Sequence, residues 1–223
     1  MKLNDWSNVL DSDFLDKMLA KVQKDRDVGF TIYPQRGFEL RALEMVEPTD
    51  VKVVILGQDP YPNTDRSGIP HAMGLAFSSQ SRSEIPASLK NIFKEIKDDV
   101  GVENTSGNLI PWVNQGVLLL NTCLTVIAGS PLSHVHIGWG RVTKLVLEYL
   151  STLDTPKVFM LWGNRAIERR YHISENENHL ILETGHPSPL AAHKSGFIGC
   201  RHFSKANDFL VSKGVDPIDW SVN

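Results

Sequence analysis

The chain has 223 residues, 41% of them apolar and 22% charged, and a formal net charge of −3. That composition describes an ordinary globular protein able to bury a sizeable core, most economically as one domain over residues 1–223. It excludes a membrane-spanning protein, since no run approaches the roughly 20 apolar residues needed to cross a bilayer. Acids in the opening "MKLNDWSNVLDSDF" stand where a secretion signal would carry its apolar segment. Cys123 and Cys200 lie far apart with no CxxC, which excludes a four-thiolate metal site and fits a reducing, cytoplasmic location.

In chain order, Val9, Leu10, Phe14, Leu15, Met18, Leu19 and Val22 recur at helical spacing, so residues 8–24 read as an opening helix. "VKVVIL" (51–56) is a β-branched, nearly continuous apolar run, the pattern of a strand buried on both faces. A loop rich in Gly and Pro follows, and Ser88 then reads as the N-cap of a helix over "LKNIFKEIKDDV". "GVLLLN" (116–121) is the next apolar run, residues 141–150 read as helix, and "KVFMLWG" (157–163) reads as strand. "AIERRYH" reads as a short helix, "HLILETGH" (179–186) as the last strand, and "HFSKANDFLVSKG" as a closing helix that stops at Gly214. The alternation predicts an α/β fold, three-layer α/β/α with a central, mainly parallel four-stranded sheet.

The four strands end in chemically useful residues: Gln58 and Asp59, then Asn121, then Gly163 and Asn164, then Gly185 and His186. Ligands of open α/β sheets bind beyond the carboxyl ends of the strands. Asp and Asn are also ordinary turn residues, but four coincidences at equivalent places favour a shared site. A Ser188–His186–Asp59 nucleophilic triad has no GxSxG elbow, and Ser188 sits between two prolines, which suits a rigid phosphate-gripping turn. His134 and His136 in "HVH" would share one face of an extended segment, but HExxH and clustered carboxylates are missing, so no metal is expected. No Walker loop or GxGxxG is present either, and no cofactor is expected.

What remains suits a metal-free reaction. A lone carboxylate can stabilise an oxocarbenium-like sugar, and a neutral histidine can donate to an oxygen that gains charge as a leaving group departs. The Asn121 amide offers a donor and an acceptor side by side, matching O4 and N3–H of uracil, whereas cytosine presents the opposite order. Phe77 could stack on a base or simply fill the core, and Tyr61 could wall off the space beside C5. From His186 to Asn207 there is no acid, while Lys194, Arg201 and Lys205 stand with three histidines. That window is either a phosphate footprint on an acidic protein or a solvated surface, and charge alone does not decide.

"GQDPYP" (57–62), "GLAFS" (74–78), "LLLNTCLTV" (118–126), "LWG" (161–163), "HPSPL" (186–190), "GCRHFSKAN" (199–207) and "PIDW" (217–220) complete the pattern. In order and setting, these stretches resemble family 1 uracil-DNA glycosylases from about Ile32 to Trp220. The resemblance implies a monofunctional enzyme that flips uracil out of single- or double-stranded DNA and hydrolyses its N-glycosidic bond, which starts base excision repair. By the same resemblance, Asp59 orients the attacking water and His186 stabilises uracil O2. Gln58 meets the base through its backbone, Tyr61 excludes thymine, Phe77 stacks on the base and Asn121 reads its edge. Pro86, Ser88, Gly163 and Ser188 would pinch the DNA backbone, and Leu190 would fill the vacated stack. The implied partner is uracil-containing DNA, with a proteinaceous inhibitor as a further partner, and the implied state is a monomer.

The chain departs from the family pattern at several points. Pro62 stands where many members have His, and "NTDRSGIPHAM" (63–73) is longer than usual. Ala87 and Ala191 replace a common Pro and Ser, and an extra residue enters near Lys194 and Ser195. Two rival functions are a different glycosylase specificity, which Tyr61 and Asn121 oppose, and a non-enzymatic DNA-binding subunit, which intact Asp59 and His186 oppose.

Overall fold

The computed structural model describes residues 3–194 and 196–223. A 3₁₀ turn at Asn4–Asn8 leads to helix α1 (Ser12–Asp27), strand β1 (Ile32–Tyr33), helix α2 (Arg41–Met45) and strand β2 (Val53–Gly57). Next come α3 (Ala87–Val100), α4 (Ile110–Val113), β3 (Val117–Asn121) and β4 (Val126–Ile127). The chain closes with α5 (Trp139–Thr152), β5 (Lys157–Trp162), α6 (Asn164–Ile167), β6 (His179–Thr184) and α7 (His202–Ser212). The expected four-stranded sheet is present and wholly parallel, in the order β3-β2-β5-β6.

Three local expectations change. The opening helix starts later than residue 8, because the Asp11 carboxylate accepts the Phe14 N–H and sets the first turn there. Val9 and Leu10 lie before that cap, with Leu10 buried as an anchor. Ser88 is not the N-cap of α3. Pro86, in extended conformation, holds that place, and Ser88 sits inside the first turn. The "AIERRYH" stretch divides into α6 and a 3₁₀ turn at Arg170–His172. A small antiparallel pair, β1 with β4, was too short to show as a periodic pattern.

The chain steps from β2 to β3 in one direction and from β3 to β5 in the other. Right-handed crossovers therefore place α3 and α5 on opposite faces of the sheet. On one face α7 is locked to α3, where Ser204 donates to Asp99 through its hydroxyl (2.6 Å) and its N–H (2.8 Å). On the other face Arg141 of α5 lies over the Phe14 ring of α1. All five tryptophans are buried in the core. Trp112, Trp220, Phe203, Trp162 and Phe77 form a continuous column of edge-on and tilted contacts, with centroids 5.0–5.9 Å apart. The C-terminal "PIDW" is thereby stitched to the third strand end.

The amino end of the sheet holds a buried cation. Lys157 is fully buried, and its Nζ donates to the Val51 carbonyl (3.0 Å) and the Thr155 hydroxyl (2.6 Å). Desolvation pulls its pKa down from 10.5 to about 8. The unfolded chain therefore binds more protons than the folded one between those values, and stability should rise with pH through that window. The expected gain is roughly 3 kcal/mol at most. Chemical denaturation between pH 7.5 and pH 10.5 should show this rise, and Lys157→Met should abolish it.

Candidate active site

The topological switch of the sheet lies at β2, whose neighbours β3 and β5 are reached by opposite crossovers. Beyond its carboxyl end opens a cavity of about 190 Å³ lined by Gln58, Asp59, Tyr61, Phe77, Asn121 and His186, with Ser88 on its wall. Each predicted base-contacting or catalytic side chain therefore reaches one space. Pro86, Gly163, Ser188 and Leu190 lie outside that lining, on neighbouring turns. Registry explains part of the convergence. Gly57 and Asn121 are directly paired across β2 and β3. A Cβ at Gly57 would collide with Asn121 Oδ1 and stand 3.1 Å from the Phe77 ring. The glycine opens the path by which the amide enters the cavity.

Asp59 is held at both oxygens. Gln58 Nε2 donates to Oδ1 (3.0 Å), and the Leu132 backbone N–H donates to Oδ2 (2.6 Å). Leu132 is one of the few non-glycine residues with positive φ, at 63°, a conformation that costs about 1–3 kcal/mol. No motif in the sequence marks Leu132 as a support for the carboxylate. The Gln58 carbonyl is itself occupied by Thr122 Oγ1 (2.7 Å) and the Cys123 N–H (2.9 Å).

His186 follows β6, and its Nδ1 accepts the Ser188 backbone N–H at 3.1 Å. An imidazole that accepts at Nδ1 carries its proton at Nε2 when neutral. Desolvation lowers its pKa below 6.5, and the nearby Asp59 charge pulls in the opposite direction without reversing the shift. The ring is thus a neutral Nε2–H donor at physiological pH. Ser188 acts on His186 through its backbone, with no triad geometry. Two contacts hold the turn in place. Asn91 Nδ2 donates to the Pro187 carbonyl (2.8 Å). Gly163 has φ 89°, and a Cβ there would stand 2.9 Å from His186 Cβ. Two residues beyond Ser188, the Leu190 side chain is 91% exposed.

Phe77 both packs in the core and faces the cavity. It is buried against Trp162 (5.3 Å) while its ring also faces the cavity and His186 (5.9 Å). Its φ is +62°, and the Tyr61 hydroxyl donates to its carbonyl at 3.0 Å, bracing that turn. Burial pushes Tyr61 ionisation upward, so the phenol remains a donor. Pro62 lines the cavity and accepts the Gly129 N–H. Glu39 also reaches the wall, ion-paired to Arg26 at 2.7 Å. It lies in no quoted motif, and nothing local in the sequence singles it out.

The histidine pair and the basic window differ from expectation. Val135–Ile137 is a 3₁₀ turn rather than an extended segment, so His134 is buried while His136 is exposed. His134 Nδ1 meets Thr125 Oγ1 at 2.8 Å, and its Nε2 faces Asp25 at 3.3 Å. Among the described residues, no group of three or more His, Cys, Asp or Glu is placed to hold a metal. The acid-free window has acids beneath it. The buried Glu95 accepts the Gly199 and Arg201 N–H groups, and the buried Asp99 side chain lies 3.7 Å from Arg201 Nε. His202 accepts the Trp162 indole N–H and is pulled down to about 4, chiefly by burial, so it adds no positive charge at pH 7. Ser195, part of the extra residue in this loop, lies outside the described residues.

The profile described as the Uracil DNA glycosylase superfamily matches residues 44–211. Among similar proteins, a Ralstonia pickettii uracil-DNA glycosylase is 48% identical over 92% of this chain and 78% of its own length. The Haemophilus influenzae uracil-DNA glycosylase is 43% identical over 99% of this chain and 100% of its own. The crystal structure of mimivirus uracil-DNA glycosylase superposes with a TM-score of 0.87 at 25% identity, covering 99% of this chain and 85% of that one. A mimivirus UNG variant solved in complex with UGI gives a TM-score of 0.88 at 26% identity, covering 99% and 88%. With the profile spanning most of the chain and such relatives matching nearly end to end, the chain belongs to the uracil-DNA glycosylase superfamily.

Proposed function

We propose that this chain excises uracil from single- or double-stranded DNA by hydrolysing the N-glycosidic bond, leaving an abasic site and starting base excision repair. The observation that carries the reading is one cavity holding Asp59, Asn121 and a His186 whose Nδ1 is already satisfied. Uracil release from a single-uracil oligonucleotide in EDTA, with thymine and cytosine controls, tests it. Release confined to uracil supports the reading, and tight binding without release would sink it.

In this mechanism the flipped uracil stacks on Phe77, and Asn121 reads O4 and N3–H. The base meets the Gln58 backbone through its N–H, because the carbonyl is held by Thr122 and Cys123. Tyr61 crowds the methyl of thymine. As the bond breaks, the sugar gains positive charge beside Asp59, which also orients the attacking water. Negative charge gathers on uracil O2, where the His186 Nε2–H donates. Pro86, Ser88, Gly163 and Ser188 lie on turns around the cavity and would grip the DNA backbone, while exposed Leu190 would enter the vacated stack. No metal or cofactor enters the scheme. A single-domain monomer acting in the cytoplasm completes the reading, and two free cysteines suit such a reducing compartment. A proteinaceous inhibitor would be a second partner, supported by the similarity to the UNG variant crystallised with UGI.

Asp59→Asn is expected to bind uracil-DNA with little change and to lose about 10²–10⁴-fold in single-turnover rate; undiminished excision would remove Asp59 from the mechanism. Asn121→Asp is expected to release cytosine as well as uracil, and strict uracil selectivity in product analysis would argue against edge reading by this amide. Only neutral His186 holds the proposed tautomer, and its folded pKa lies below 6.5. The single-turnover rate should therefore hold steady from pH 8 to 6.5 and fall as pH drops through that lowered value. In His186→Asn the acid limb should vanish, with a rate about 10²–10³-fold lower throughout.

A further inference from the structure

Beside the cavity, the long loop at 63–73 builds something of its own. Its core is Asp65, only 4% exposed, which accepts the Ser67 N–H (2.9 Å), the Ile69 N–H (2.9 Å), the Ser81 hydroxyl (2.6 Å) and the Ser83 hydroxyl (3.0 Å). These bonds, led by that from Ser81, hold the carboxyl down at about 2. A bridge between Thr64 and Pro70 closes the loop into a rigid finger tied to the 81–84 segment. Between this finger and α3 runs a groove of about 570 Å³ lined by Arg66, Ser67, Ser83, Glu84, Ile85 and Lys90.

The groove carries two exposed cations. Among the described residues, neither the Arg66 guanidinium nor the Lys90 ammonium has a hydrogen bond or an ion pair. Glu84 is the single carboxylate lining it, and the ionised Asp65 lies buried behind the loop. The groove's two cations therefore stand free at its surface, while of the nearby acids one is paired internally and one lies at the edge. It lies beside the site without sharing a lining residue with the cavity. Lys90 and Ser88 lie two residues apart in the first turns of α3, and Ser88 lines the cavity. An anionic polymer held at Ser88 that also crosses the start of α3 would meet these cations and the Ser67 hydroxyl.

We propose that this groove is a second backbone-binding surface, which grips phosphates of the substrate strand beyond the flipped nucleotide. The inference rests on the uracil-DNA reading above. The aspartate-pinned finger would lengthen the DNA contact.

The test is the double variant Arg66→Ala/Lys90→Ala, both positions being exposed and unpaired. A matched pair of changes on α1, Lys17→Ala/Lys24→Ala, controls for loss of net charge, and a thermal melt confirms that each variant is folded. The groove variant should keep wild-type kcat at saturating DNA. Its dependence of log Kd on log salt for duplex should be shallower by about 1.8, at 0.9 per phosphate released. Its KM in moderate salt should rise about tenfold, in line with that slope. Trimming flanking phosphates from one side of the oligonucleotide should weaken wild type and leave the groove variant indifferent. Wild-type KM, salt slope and trimming response in the groove variant would overturn the proposal, as would equal losses in the α1 control. If wild type itself released no uracil, the parent reading would fail instead, so the two failures are distinguishable.

Discussion

Everything at this site depends on four parallel strands that end at the same level. Parallel pairing brings the carboxyl ends of β3, β2, β5 and β6 side by side, and the reversal of crossover direction leaves a crevice at β2. Residues far apart in sequence, such as Asp59 and His186, then meet without any local device linking them. The constraint reaches down to single atoms. Because Gly57 pairs directly with Asn121, the strand that delivers the carboxylate must give up a side chain where the neighbouring strand delivers its amide.

Backbone groups supply much of the site's chemistry. The Ser188 N–H selects the tautomer of His186, the Leu132 N–H fixes one oxygen of Asp59, and the Phe77 carbonyl receives the Tyr61 hydroxyl. Two of these supports involve residues in left-handed conformations, Leu132 and Phe77, whose strain is borne by the surrounding packing. Preorganised donors of this kind act without reorganising as charge develops. Rigidity comes from the aromatic column. It runs from the C-terminal Trp220 through Phe203 and Trp162 to Phe77, so the tail helps hold the ring proposed to carry the base.

Charge illustrates how tertiary structure rewrites a linear reading. The stretch from His186 to Asn207 contains no acid, yet α3 lays Glu95 and Asp99 against it and burial neutralises His202. Conversely, Arg66 and Lys90 are 24 positions apart and look unrelated along the chain. The Asp65 hub and the start of α3 bring them to one groove.

The four runs of the main sheet, the larger helices between them and the residues beyond each strand were legible in the sequence, whereas α2, α4 and the β1–β4 pair were not. Short apolar runs such as β2 and β5 fit strands buried on both faces, and family motifs sit where the chain leaves them. Helix boundaries were less legible, because caps depend on single side chains: Asp11 starts α1 after the periodic pattern has begun, and Pro86 displaces Ser88 from the cap of α3. The supporting shell was not legible at all. Leu132, Asn91 and Glu39 carry no motif, and act only through a backbone N–H, an amide reaching across to another loop, and a buried ion pair. Sequence by itself determined which chemical groups this protein carries and the strands that deliver them, since both follow from local pattern. Tertiary structure decided which proton His186 keeps, which charges survive and which loops meet, because those depend on burial and on contacts between segments distant along the chain.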